Sequence, residues 1–225
     1  MGIEKLAAIV ILAGLSVPAM ASEFDGPFVQ LGVGGSRSYT HLNGTRNAVL
    51  DGTSSQGNVN GLVAAGYSQS LGDVGFNLAA NVFYVIGNQN AGAPSNTLAT
   101  ANGSNSANTR STFSNSFGIA VEPGWNFTEK TLGYAKLAWV YSDGAYNSTS
   151  TISTVVPPRT ISDSGVINKS MNGFGYGLGI KQAIAKDIYL GVDIMGVAYN
   201  SSKTSRGVTV QPEQLLGFLS LGYRF

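Results

Sequence analysis

The sequence predicts an all-β protein, an eight-stranded antiparallel up-and-down transmembrane β-barrel, on three observations. Eight segments alternate apolar and polar residues with the period of two that suits strands facing two different environments. The connections between these segments alternate long and short from one end of the chain to the other. No window after the N-terminal apolar run approaches eighteen consecutive apolar residues, so helical spans are excluded and a membrane crossing falls to strands.

The chain opens Met-Gly-Ile-Glu-Lys, continues as an apolar run from Leu6 to Leu15, and reaches Ala19-Met20-Ala21 after Ser16-Val17-Pro18. That order of charged start, apolar core and small-residue site predicts a secretory signal peptide over residues 1–21, cleaved after Ala21, and a barrel over 22–225. Glu4 offsets Lys5, which leaves the terminal amine as the main positive charge. A run of about ten residues is too short to stay in a bilayer as a spanning helix.

Composition narrows the class. The 225 residues include no cysteine, so an exported domain of this sequence has neither disulfide staples nor a cysteine for a lipid anchor. Only 11% of residues are charged and the net charge is +1, which gives no basic footprint for nucleic acid. With 43% hydrophobic residues the chain is too apolar to remain a solvated coil.

The eight segments lie at 28–40, 58–71, 73–88, 110–127, 131–147, 171–184, 188–200 and 214–225. Tight connections fall at Gly72-Asp73, Asn126 to Thr131 and Ala185 to Asp187. Long polar ones fall at His41 to Gly57, Gln89 to Arg110, Ser148 to Ser170 and Asn200 to Glu213. Short inner turns and long outer loops in this order are what a barrel with both termini in the periplasm requires.

Parity assigns the faces. In the fourth segment Phe117, Ile119, Val121, Pro123, Trp125 and Phe127 share one side, opposed by Ser116, Gly118, Ala120, Glu122, Gly124 and Asn126. The first set faces lipid, because only a polar lumen suits Glu122. The third segment places Phe76, Leu78, Val82, Tyr84 and Ile86 outward with Asn77 and Asn81 inward. The sixth places Phe174, Tyr176, Leu178 and Ile180 outward and Gly173, Gly175, Gly177 and Gly179 inward. Trp125 and Phe127 near one turn, with Phe117, Trp139 and Tyr141 further up, predict two interfacial girdles.

The same parity gathers Glu122, Lys136, Lys181, Asp193 and Arg224 into the lumen. A turn centred on residue 129 sets Glu122 across from Lys136, and a turn centred on 187 sets Lys181 across from Asp193, so two cross-strand ion pairs are expected. They read as a charged gate or selectivity site, or as a polar plug that satisfies itself. The plug is the favoured reading, since eight strands leave an interior that side chains fill.

At the C-terminus Phe225, Tyr223, Leu221 and Leu219 fall on one face, and Arg224, Gly222 and Ser220 on the other. A terminal Phe with an aromatic two residues before it resembles the signal by which the outer-membrane barrel assembly machinery recognises its clients, which makes Tyr223 and Phe225 the assembly signal. With the leader and the loop rhythm, the mature chain resembles small eight-stranded barrels of the OmpA transmembrane-domain and opacity-protein type. The resemblance implies a cell outer-membrane location among lipid and lipopolysaccharide. It does not carry over the peptidoglycan-binding domain of OmpA, as the sequence stops at Phe225.

Catalytic chemistry has little to stand on. The one histidine, His41, opens the first long loop, and Ser36 and Ser38 lie near it without a third group at a recognisable spacing. A lipid A-modifying barrel enzyme is therefore a remote alternative. No cofactor is implied, and no transition-metal site is supported. Gly32-Val33-Gly34-Gly35 precedes no helix and is not a phosphate cradle. Triplets such as Asn43-Gly44-Thr45 reflect Asn- and Ser-rich composition.

Residues 88–109 contain Leu98 as the only large apolar side chain and carry no charge, which predicts a mobile loop, either a solvated cap or an adhesive surface. The expected function is a non-enzymatic cell-surface barrel that binds an unidentified host or surface ligand through its loops. A narrow channel for small solutes, as in the OmpW-type barrels it resembles in size, is the alternative.

Overall fold

A computed structural model of the chain describes residues 23–43, 52–71, 75–90, 95–100, 103–155, 158–203 and 209–225. In chain order these form β1 (Gly26–Asn43), β2 (Gly52–Leu71), β3 (Phe76–Ile86), β4 (Gln89–Asn90), β5 (Ser95–Thr100), β6 (Gly103–Thr128), β7 (Thr131–Val155), β8 (Pro158–Ala185), β9 (Ile188–Tyr199), β10 (Ser202–Lys203) and β11 (Thr209–Arg224). Eight of them pair antiparallel in the circular order β1-β2-β3-β6-β7-β8-β9-β11, and β11 returns to β1 from Phe28↔Arg224 to Asn43↔Thr209. Closure removes the open edge that a backbone surrounded by hydrocarbon could not leave unpaired. The expected leader at 1–21 lies outside the described residues.

The register fixes the shape. From Val29 the pairing runs through Ala65, Val82, Ile119, Trp139, Phe174, Ala198 and Glu213 and meets β1 again at Tyr39, ten residues further along. A shear of ten on eight strands tilts them by about 40° and sets a wall radius of about 8 Å. Side chains fill an interior of that width.

Outside, the wall is apolar. Leu31, Leu78, Val82, Ile119, Val121, Leu137, Leu178, Val192 and Leu219 are all exposed, a band far larger than the apolar patch a soluble monomer leaves to water. Trp125, Phe127, Tyr223 and Phe225 bound it near the short turns, and Tyr84, Phe117, Trp139 and Phe174 bound it at the other end. Phe127 and Phe117 stand ten residues apart on β6, which at this tilt is about 25 Å, the height of the lipid-facing band of a bacterial outer-membrane barrel.

The inside corrects the expectation of a polar lumen. Phe83, Val85, Met195, Val197 and Phe218 are buried there with the charges, and apolar clusters lie on both sides of the charged level. Parity identifies the inward face, but a narrow interior is governed by volume, and large side chains fill it where glycine on the next strand makes room. The rings of Tyr134 and Tyr189 lie where a side chain at Gly179 or Gly222 would stand, and Met195 lies against Gly175. Gly118 is one such position where backbone also leaves no room, because an added Cβ would meet the Trp139 carbonyl at 2.7 Å as well as the Phe83 ring. Gly118→Val is expected to destabilise the barrel by about 1–3 kcal/mol through overpacking, measured by urea unfolding in lipid vesicles.

The strands also run further than the alternation indicated. β3 begins at Phe76 rather than 73, while β1, β2, β6, β7, β8 and β11 all extend beyond the lengths read from sequence. The region expected as the loop Ser148 to Ser170 is a hairpin paired through to Val155↔Pro158, leaving only residues 156–157 between its strands. The region 88–109, expected to be mobile, carries β4, β5 and the start of β6, with β5 paired to β6 from Ser95↔Asn108 to Thr100↔Gly103. Threonine and β-branched residues in these polar stretches suit strands once a neighbour supplies the hydrogen bonds, and polarity alone did not distinguish them from coil. β5, β6, β7 and β8 therefore continue above the membrane band as a four-stranded blade.

Candidate functional site

Four strands bring the charges together at one level of the lumen. Glu122 comes from β6, Lys136 from β7, Lys181 from β8 and Asp193 from β9, and all four are buried. Lys181 Nζ donates to Glu122 Oε2 at 2.7 Å, Lys136 Nζ lies 3.2 Å from Glu122 Oε1, and Lys136 Nζ donates to Asp193 Oδ1 at 3.0 Å. The result is a chain, Lys181–Glu122–Lys136–Asp193, with equal numbers of positive and negative groups. Asn81 Nδ2 donates to Glu122 Oε1 at 2.9 Å, so both carboxylate oxygens are engaged.

The contact expected between Glu122 and Lys136 is present. Lys181 and Asp193, expected to face each other, do not. A register shift between Ala183 and Ala185 sets Lys181 opposite Gly191 and Asp193 opposite Gly179. The hairpin closes at Ala185↔Ile188 rather than symmetrically about 187, and this together with the irregularity beyond it moves Asp193 one inward position away from Lys181, so that it pairs with Lys136 instead. Arg224 is also corrected: it stands at the mouth beside the short turns, where Nη2 lies 3.2 Å from Asp187 Oδ1 and donates to the Lys186 carbonyl at 3.1 Å. Beside it Asp25 Oδ1 accepts from the Ser70 amide at 2.7 Å and the Ser70 hydroxyl at 2.8 Å. Arg224 thus joins the end of β11 to the β8–β9 turn, outside the charged level.

Aromatic side chains that the sequence reading did not name complete the level. The Lys181 ammonium lies 4.6 Å from the Tyr134 ring centroid, 5.0 Å from Phe28 and 5.7 Å from Tyr189, so three ring faces and one carboxylate surround it. Tyr189 donates to Gln30 Oε1 at 3.2 Å, and Gln30 Nε2 donates to Ser220 Oγ at 2.8 Å. Parity could have found these residues, since Tyr134 is two positions from Lys136 and Tyr189 four from Asp193. The cavity between Gln30, Asn81, Glu122, Lys136, Asp193 and Phe218 has a volume of about 10 Å³, on the scale of one water molecule.

Tyr223 and Phe225 point outward with their ring centroids 5.0 Å apart, and the Phe225 amide donates to the Pro27 carbonyl at 2.9 Å. His41 stands in β1, opposite Gln211 and Thr53, rather than in a loop, and Ser36 and Ser38 face the lumen. Among the described residues, no three His, Cys, Asp or Glu side chains gather as metal ligands.

No family model matches the chain, and no curated protein sequence does. Among solved structures it is similar to Ail, the attachment invasion locus protein of Yersinia pestis, at 13% identity over 87% of this chain and 99% of that one, with a TM-score of 0.35. It is similar to Neisserial surface protein A at 12% identity over 89% and 97%, with a TM-score of 0.39. It is similar to the outer membrane protease OmpT from Escherichia coli at 10% identity over 93% and 100%, with a TM-score of 0.33. Likenesses this distant carry no argument about activity; the closed eight-stranded membrane barrel stands on its own register and its apolar wall.

Proposed function

We propose that the chain is a non-enzymatic protein of the bacterial outer membrane, closed in its lumen, that binds a partner at the cell surface through its extracellular blade. The observation that carries this reading is the extent of the blade. β7 continues from Ser142 to Val155 above the aromatic belt, paired on both sides by β6 and β8. Among the described residues β8 has no second neighbouring strand before Asn172, where the Asn200 amide donates to its carbonyl at 2.9 Å. A sheet edge of that length offers alternating backbone donors and acceptors, which suits a partner that adds an extended strand. The sealed charge level supports the same reading, since it leaves no lane for solutes between Lys136 and Asp193. In this reading Tyr223 and Phe225 form the end that the barrel assembly machinery recognises, and lipid and lipopolysaccharide surround the apolar band.

The test is to shorten the blade. Ala145 and Asn168 are register partners, so a tight turn joining them removes the upper hairpin without touching the membrane wall. The shortened protein is expected to refold with the heat-modifiable mobility of a closed barrel and unchanged vesicle permeability, but to lose the binding to cell surfaces that the full chain shows. Binding that survives the truncation, or is absent from the full chain, would remove the reading.

A further inference from the structure

The outer wall is uneven at the end of the apolar band away from the short turns. Tyr84, Phe117, Trp139 and Phe174 mark that level on β3, β6, β7 and β8. The opposite wall meets it with one row of register partners, Val59, Gly35, Gly217 and Ile194, on β2, β1, β11 and β9. The two glycines floor a groove of about 510 Å³ that Leu215 and Arg37 also line. These glycines differ from those of the lumen, which Tyr134, Tyr189 or Phe83 cover. A Cβ at Gly35 would meet only the Asn58 carbonyl at 3.5 Å, and one at Gly217 would meet nothing nearer than 3.9 Å among the described residues. Glycine weakens a strand, and in a strand interior it often marks a place where a ligand or another backbone comes close.

We propose that this groove binds one lipid, with an acyl chain over Gly35 and Gly217 and the headgroup phosphate on Arg37. The tilt of the strands decides what stands above the floor. At about 40°, the residue directly above Gly217 along the membrane normal, at about 8 Å, is Arg37 rather than its strand neighbour Leu215. The guanidinium therefore heads the groove just beyond the apolar band, at the depth a phosphate takes when its acyl chain runs down the wall. Arg37 is exposed, and its guanidinium carbon lies 5.4 Å from the centroid of the Tyr39 ring. A ring contact engages the face of a guanidinium, whereas a phosphate is met at its edge by a planar fork of donors. Glu213, the register partner of Tyr39, stands to the β9 side of that line and not over the groove. A second copy of the chain suits the groove less well, because a two-fold axis through the glycine pair would bring the two Arg37 side chains together.

Native mass spectrometry of the full chain refolded in detergent tests the proposal, with phosphatidylglycerol as the probe and diacylglycerol of the same chains as the phosphate-free comparison. One phosphatidylglycerol per barrel is expected to be retained, in preference to diacylglycerol by about tenfold. Gly217→Leu fills the groove where an added Cβ meets open space, and Arg37→Gln removes the charge. Each is expected to lower retention by about tenfold in barrels that are folded by heat-modifiable mobility. Ala80→Leu, at an exposed position elsewhere on the lipid-facing wall, should leave it unchanged. Retention that survives either groove substitution, falls equally in Ala80→Leu, or is as strong for diacylglycerol overturns the proposal. Release of the lipid by inorganic phosphate also overturns it, since Arg37 would then be a site for the free anion. So does a dimer that forms without lipid and is lost in Gly217→Leu, which would give the groove to a second copy.

Discussion

Replacing Glu122 by Gln is expected to destabilise the folded barrel by about 3–5 kcal/mol, because it leaves buried charge uncompensated. Each Glu122 oxygen meets one lysine ammonium, and the site is closed above and below by apolar clusters. Gln keeps the volume and the contact with Asn81 but removes the charge that both lysines share. Lys136 retains Asp193, whereas Lys181 is left with the faces of Phe28, Tyr134 and Tyr189. Ring quadrupoles are worth far less than a buried carboxylate. Lys181→Met should also be costly, because Glu122 and Asp193 must then divide one cation. Combining Glu122→Gln with Lys181→Met restores neutrality around the remaining Lys136–Asp193 pair, so the double variant is expected to cost clearly less than the sum. Urea unfolding of all four proteins in lipid vesicles supplies the cycle. A double variant that costs the simple sum would mean that water screens these groups from one another.

Leu178→Arg is expected to cost about 2–4 kcal/mol, the penalty for a cation near the middle of the lipid-facing band. Leu178 lies on β8 between Phe174 and the short turn at Lys186, and it is 71% exposed. That exposure makes the substitution discriminating, since the same residue on the surface of a soluble sandwich would accept Arg at a cost within about 0.5 kcal/mol. Thr160→Arg, on the exposed upper part of the same strand, supplies the internal reference and should be near neutral. Refolding both proteins into vesicles and measuring urea midpoints gives the difference. Equal stability would place both positions in water.

Legibility followed the physics of each feature. The strand count, the outward set on β6 and the inward position of Glu122 were readable because lipid and lumen impose opposite demands on neighbouring residues. The filled interior was harder to read: Phe83, Val85 and Phe218 are apolar like the residues beside them, and only the glycines on neighbouring strands hint that inward rings have somewhere to lie. Lys181 and Asp193 were paired wrongly because the shift near Ala183 leaves no mark that a symmetric turn would not also leave. The hairpin closes at Ala185↔Ile188 rather than symmetrically about 187, and the irregularity beyond it brings the displacement of Lys181 to Gly191, an even step that reassigns every partner above it while preserving each residue's face. The blade was missed because Ser, Thr and Asn look alike in a solvated loop and in a strand paired above the membrane. The β-branched residues of 149–167, facing each other in register as at Ile152↔Ile161, were the available signal.

The sealed lumen is the claim on which the surface-binding reading depends, and single-channel recording on refolded full-length protein tests it most directly. The Lys181–Glu122–Lys136–Asp193 chain, packed between two apolar clusters with about 10 Å³ of free space, predicts a bilayer that stays electrically silent. Steady, defined conductance steps from the folded barrel would contradict it and make the lumen a conduit.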